Sequence, residues 1–185
     1  MRLFVAVLIP DVIKQEAIRL RNKVGIFPEV RWVATEAIHL TLKFLGETDP
    51  SKVIEIQSLL KDSASRFPAL TLSLKGGGVF PDRARPRVLW TALWGDTEPL
   101  KNLAAELDHS LEGLGFPKEE REFSPHVTVG RLKFPSMTLV DQFCTLFSQF
   151  SSPMFSVNVF HLMESKLSSQ GAEYQSLGSY PLVPR

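Results

Sequence analysis

Cysteine is nearly absent. Cys144 is the only one in 185 residues, which excludes an internal disulfide and a cysteine-built zinc site and fits a reducing cytoplasm. An excess of charge is missing too. The 21 Lys and Arg residues against 20 Asp and Glu leave a net charge of +1, which excludes a globally basic nucleic-acid coat but leaves room for a local basic patch. No apolar run is long enough to span a membrane. The first, Leu3 to Ile9, stops at Pro10 and Asp11 and lacks a small-residue cleavage site. No Ser/Gly-rich or Pro-rich tract is long enough to be a linker. What remains, 44% apolar and 22% charged residues, has the proportions of a soluble globular protein, and its length suits one domain, 1–185, with two lobes.

Periodicity places the elements. Leu3–Ile9 reads as a buried strand. Ile13, Ala17, Leu20 and Val24 share a helical face, with Asp11 as cap and Gly25 as stop. Val30, Trp32 and Val33 read as a short extended piece. In His39–Leu45, Leu40, Leu42 and Phe44 alternate with His39, Thr41 and Lys43, the period of a half-buried strand. Asp49 and Pro50 open a helix carrying Ile56, Leu60 and Ala64. Leu70, Leu72 and Leu74 mark a strand, Gly76–Gly78 a turn, and Arg87–Trp94 a further strand. A third helix starts at Asp96 or Thr97, with Leu100, Leu103, Leu107, Leu111 and Leu114 inward. His126–Arg131 alternates again. A helix over Leu139–Phe150, a strand through Phe155, Val157 and Val159, and a last strand within Tyr174–Leu182 complete the chain.

The order strand, helix, histidine strand, helix, strand occurs twice, over about 3–75 and 88–160. The interval from His39 to Leu70 nearly equals that from His126 to Phe155. This predicts an α+β fold, bilobal and pseudo-twofold, in which two mostly antiparallel sheets form a central cleft and helices cover the outer faces. A pseudo-twofold axis would bring the two histidine strands together.

Each histidine strand reads His-x-Thr-x, as His39-Leu-Thr41-Leu and His126-Val-Thr128-Val. A spacing of two on a strand puts His and Thr on one face. Two imidazoles can act as general acid and general base near neutral pH, and threonine hydroxyls can hydrogen-bond phosphate oxygens. A single His-x-Thr would be an ordinary structural feature; a matched pair points to a catalytic pair. A zinc site is disfavoured, because no third or fourth ligand is at hand.

At these residues the chain resembles the two-histidine phosphoesterase superfamily, and within it the bacterial and archaeal RNA 2′,3′-cyclic phosphodiesterases, historically called 2′-5′ RNA ligases. The likeness extends to Arg2-Leu-Phe-Val-Ala-Val7, Phe44-Leu-Gly-Glu47, Gly76-Gly-Gly-Val-Phe-Pro81, Pro86-Arg-Val-Leu-Trp90 and Phe123-Ser-Pro-His126. It implies metal-independent hydrolysis of RNA 2′,3′-cyclic phosphate ends to a 2′-phosphate without a cofactor. His39 would be the proton donor, His126 the proton acceptor, and Thr41 and Thr128 the phosphate ligands. Arg131 and Phe44 would lie near the substrate. Strict alternation puts both on the face opposite their histidine, so they reach the cleft only through a twist or bulge.

Ligation, a small-nucleotide cyclic phosphodiesterase and non-catalytic RNA-end binding are the alternatives. The intact His and Thr positions speak against mere binding. Gly76–Gly78 is no phosphate loop, since no Lys-Ser/Thr follows. Arg83, Arg85 and Arg87 with Lys75 form either a basic rim for RNA or a solvated loop. Trp32 is an aromatic platform or a buried ring. His109 reads as exposed, His161 as structural and Cys144 as an inert thiol. No feature argues for assembly, so a cytoplasmic monomer is expected.

Overall fold

The computed structural model describes residues 1–168 and 171–185. Among them run β1 (Arg2–Leu8), α1 (Asp11–Asn22), β2 (Val30–Trp32), β3 (His39–Glu47), α2 (Val53–Ala64), β4 (Leu70–Phe80), β5 (Val88–Gly95), α3 (Thr97–Glu112), β6 (His126–Leu132), α4 (Met137–Phe147), β7 (Phe155–Val157), β8 (Val159–Ser168) and β9 (Gly171–Pro181). No described helix is long and apolar enough to cross a membrane.

The strands pair antiparallel in the order β7-β4-β5-β6-β3-β1-β8-β9, with β2 beside β6. The third strand of each round leaves its own round: β4 pairs with β5, and β8 pairs with β1. The halves β7-β4-β5-β6 and β3-β1-β8-β9 meet at one ladder pair, Leu40 opposite Val127. The two expected sheets therefore run together as one curled surface, joined between the histidine strands.

Buried side chains of all four helices pack against one face of this sheet, where Leu3, Val5, Leu40, Leu72, Val127 and Phe160 belong to a common core with Ile13, Leu60, Leu103 and Phe143. On β1 the alternate residues Phe4 and Ala6 form a second, small cluster with Met163. Apolar packing on both faces explains why β1 is a continuous hydrophobic run.

Local chemistry differs from expectation at several points. Asp11 is the first residue of α1, and Pro10 holds the cap position with no side-chain cap. Asp96 precedes α3, but its carboxylate accepts the Thr71 backbone N–H at 2.8 Å and pairs with Arg185 instead of capping the helix. The α3 helix ends before Leu114, and the strand expected through Phe155–Val159 is interrupted between β7 and β8.

Gly76–Gly78 is not a turn. β4 runs through it to Phe80, with an irregularity against β5 between Lys75 and Gly78. These glycines give room for close packing: a Cβ on Gly77 would stand 2.7 Å from Phe147 Cβ and 2.9 Å from the Trp90 carbonyl oxygen, and one on Gly78 would stand 2.6 Å from the Trp90 ring.

Candidate active site

Both histidine strands carry the same defect. The pairing of β1 with β3 steps from Val5–Lys43 to Ala6–Thr41 and skips Leu42; that of β5 with β6 steps from Leu89–Gly130 to Trp90–Thr128 and skips Val129. Each skipped residue is a β-bulge that shifts the strand's parity. The burial sequence is accordingly identical on the two strands. His39 and Thr41 are partly exposed, Leu40, Leu42, Lys43 and Leu45 are buried, and Phe44 is 59% exposed. His126 and Thr128 are partly exposed, Val127, Val129, Gly130 and Leu132 are buried, and Arg131 is exposed. Plain alternation fails here: Phe44 turns outward to the histidine face, and Lys43 goes inward. The bulges are what bring Phe44 and Arg131 round to that face.

His39 Nδ1 lies 2.8 Å from the Ala37 carbonyl oxygen, and His126 Nδ1 lies 2.8 Å from that of Ser124. A carbonyl only accepts, so each Nδ1 carries a proton and each neutral ring presents the Nε2 lone pair. His39 Nε2 accepts the Thr41 hydroxyl at 3.1 Å. Phe4 and Tyr174 flank the His39 ring at 4.9 and 5.2 Å, and Phe80 meets the His126 ring edge-on at 4.9 Å. Burial pushes both imidazoles below the ordinary histidine range, against the raising effect of the Ala37 and Ser124 carbonyls. The positive charge of Arg131 lowers both further. One cation thus sits within electrostatic reach of both rings.

Lys43 is a site-supporting residue that alternation hid. Its ammonium, 3% exposed as a residue, pairs with Asp108 of α3 and donates to the Pro117 carbonyl at 2.7 Å. The Asp108 carboxylate also accepts the Glu119 N–H at 3.1 Å. The segment leading to Ser124 and His126 is thereby tied to β3. The carbonyls of Ala37 and Ser124, each two residues before its histidine, and the aromatic walls were also missed; only the repeated offset could have signalled the former.

A cleft of about 1130 Å³ lies along β3 and is lined by Thr41, Phe44, Phe80, Arg87, Phe123 and His126, among others. Of the arginine-rich loop, Arg87 reaches this cleft, Arg83 pairs with Asp141, and Lys75 lies over the Trp94 ring. Arg83, Arg85 and Lys75 are not among the residues that line the cleft. Trp32 packs partly buried against the core with Arg21 above its ring. His109 is exposed, and His161 hydrogen-bonds Ser179. Burial raises the Cys144 thiol. No three His, Cys, Asp or Glu side chains converge as metal ligands among the described residues.

Of the motif residues, Thr41 and His126 line this cleft and His39 and Thr128 do not. A curled antiparallel sheet that sets two His-x-Thr strands side by side at Leu40–Val127 is that of a phosphoesterase of the two-histidine type. The family model for LigT-like phosphoesterases matches residues 7–90 and 95–174, and the chain belongs to that family. The RNA 2′,3′-cyclic phosphodiesterase of Thermotoga maritima is 34% identical over 182 residues, 96% of this chain and 93% of the relative. That of Archaeoglobus fulgidus is 33% identical over 180 residues, 96% of this chain and 98% of the relative. Among solved structures, a protein of Thermus thermophilus superposes over 100% of both chains with a TM-score of 0.84 at 26% identity. E. coli LigT complexed with 3′-AMP superposes over 98% of this chain and 97% of that one with a TM-score of 0.79 at 27% identity.

Proposed function

We propose that this protein hydrolyses the 2′,3′-cyclic phosphate at an RNA end to a 2′-phosphate, acting as a single bilobal unit. The observation that carries the reading is the matched anchoring of His39 and His126: each Nδ1–H is held by a carbonyl, so Nε2 is the nitrogen left for proton transfer on each ring. His126 Nε2 takes a proton from water as the water oxygen attacks phosphorus. The bond from phosphorus to O3′ breaks, and His39, protonated at Nε2, gives its proton to O3′. The products are a 2′-phosphate and a 3′-hydroxyl. Proton exchange with solvent resets the pair, and the scheme calls on no metal or cofactor.

Thr41 and Thr128 donate to the non-bridging oxygens, whose charge grows in the transition state. The Thr41 hydroxyl donates to neutral His39; protonation of Nε2 removes that acceptor and releases the hydroxyl to the phosphate. Arg131 balances phosphate charge, and exposed Phe44 offers a stacking face for a base. The relatives' activity and the absence of strong net charge suit a small RNA end as partner, the single cysteine suits a reducing cytoplasm, and a monomer is the default because no feature argues for assembly.

The test is an RNA oligomer ending in a 2′,3′-cyclic phosphate, incubated with the protein and EDTA, with products mapped by position. A 2′-phosphate is expected. A 3′-phosphate or a ligated strand as the main product overturns the reaction assigned, and intact RNA overturns the activity.

A further inference from the structure

On β2 and β6, Arg31 stands directly opposite Arg131. Directly opposed residues of an antiparallel pair point to the same face, with Cβ atoms roughly 5 Å apart. The flanking pairs Val30–Leu132 and Trp32–Gly130 turn the other way: Val30 and Leu132 are buried, and the Trp32 ring covers Gly130. Both arginines are exposed. Arg131 lies on the histidine face, so Arg31 lies on it too, on the edge of β6 that β3 also borders.

Like charges set directly opposite destabilise a sheet. Elsewhere on this molecule the fold supplies counter-charges, as Asp108 does for Lys43, Glu106 for Arg66 and Asp141 for Arg83. Among the described residues neither Arg31 nor Arg131 forms an ion pair or donates a side-chain hydrogen bond. Two exposed arginines at opposed ladder positions without a counter-charge among the described residues, one of them within electrostatic reach of both histidines, make a site that an anion would relieve. Guanidinium forks match phosphate oxygens in shape as well as in charge.

The scissile phosphate has its own ligands in the proposed reaction. Arg31 lies at the Arg131 end of β6, on the edge that β3 also borders at Leu40–Val127, so a second phosphate of the same substrate can reach it while the first sits between the histidines. We propose that Arg31, beside Arg131, forms a second phosphate site that takes the phosphate on the 5′ side of the terminal nucleotide, so that 5′-phosphorylated ends are preferred to free nucleoside cyclic phosphates. This rests on the activity proposed above.

Two substrates separate the claims: a nucleoside 2′,3′-cyclic phosphate, and the same compound with a 5′-phosphate. The ratio of their kcat/KM values is measured for the wild type, Arg31→Gln and Arg31→Lys. The wild type is expected to favour the 5′-phosphorylated compound, and Arg31→Gln to reduce that preference by roughly tenfold, the order of one lost charge-assisted contact. Arg31→Lys should retain part of it. A wild type without preference, or an Arg31→Gln ratio equal to that of the wild type, overturns the second site while leaving the cyclic phosphodiesterase intact. Failure of the wild type on both compounds counts against the activity itself, and the second site falls with it.

Discussion

The carbonyls of Ala37 and Ser124 decide which imidazole nitrogen meets the cleft, and burial with the Arg131 charge decides when each carries a proton. In the proposed reaction, activity falls at low pH as His126 is protonated and at high pH as His39 loses its proton. The pH profile of kcat/KM, which reports the free enzyme, should be a bell centred on the acid side of the ordinary histidine value near 6.5, with limbs belonging to the pair. Arg131→Gln removes one lowering influence on each ring, so both limbs should move to higher pH. A profile flat from about pH 5 to 9 with chemistry limiting would contradict this. At this scale the shared face of His39 with Thr41 and of His126 with Thr128 was legible, because a spacing of two on a strand survives any later irregularity. The outward turn of Phe44 and Arg131, expected only through a twist or bulge, and the inward turn of Lys43 were not. They follow the skipped residues Leu42 and Val129, and a bulge depends on the partner strand rather than on local composition.

At the scale of elements, strands and helices were read well where alternation or helical spacing extends over several residues. The glycine run misled, since Gly usually signals a turn. Gly77 and Gly78 instead lie within β4, at and beside an irregularity of its pairing with β5, and Phe147 and Trp90 pack against them. Gly77→Ala should destabilise the fold by about 2 kcal/mol, the cost of overpacking against backbone and a buried ring, read as a lowered midpoint in urea unfolding. An unchanged midpoint would show that β4 yields there. Lys43 joins β3 to α3 and to the segment before His126. Lys43→Met fills the space but leaves Asp108 without its cation, and should cost about 3 kcal/mol in the same assay, as for other buried pairs broken on one side. A loss below about 0.5 kcal/mol would make the pair no more than a surface contact.

Across the whole molecule, the repeated element order correctly predicted that the histidine strands meet, but not how the sheet is built. Successive strands usually lie together, and β4 accordingly pairs with β5, the first strand of the other round, while β8 returns to β1 and nothing in Phe160–Leu162 marks that return. With a net charge of +1, attraction to RNA comes from a few local cations. The logarithm of RNA-end affinity should therefore fall with the logarithm of salt concentration with a slope of about −1 to −2, a value for two or so phosphate contacts on a single strand; a slope near −5 would mean a broad basic track. The halves join at Leu40 and Val127, and each supplies one histidine to the proposed pair. The most direct test is single-turnover hydrolysis of an RNA 2′,3′-cyclic phosphate end by the wild type, His39→Ala, His126→Ala and the double variant. Each single variant should lose at least ~10²-fold, and the double variant little more than the slower single one, because the two groups act as a unit. A near-normal rate from either single variant would contradict the two-histidine account.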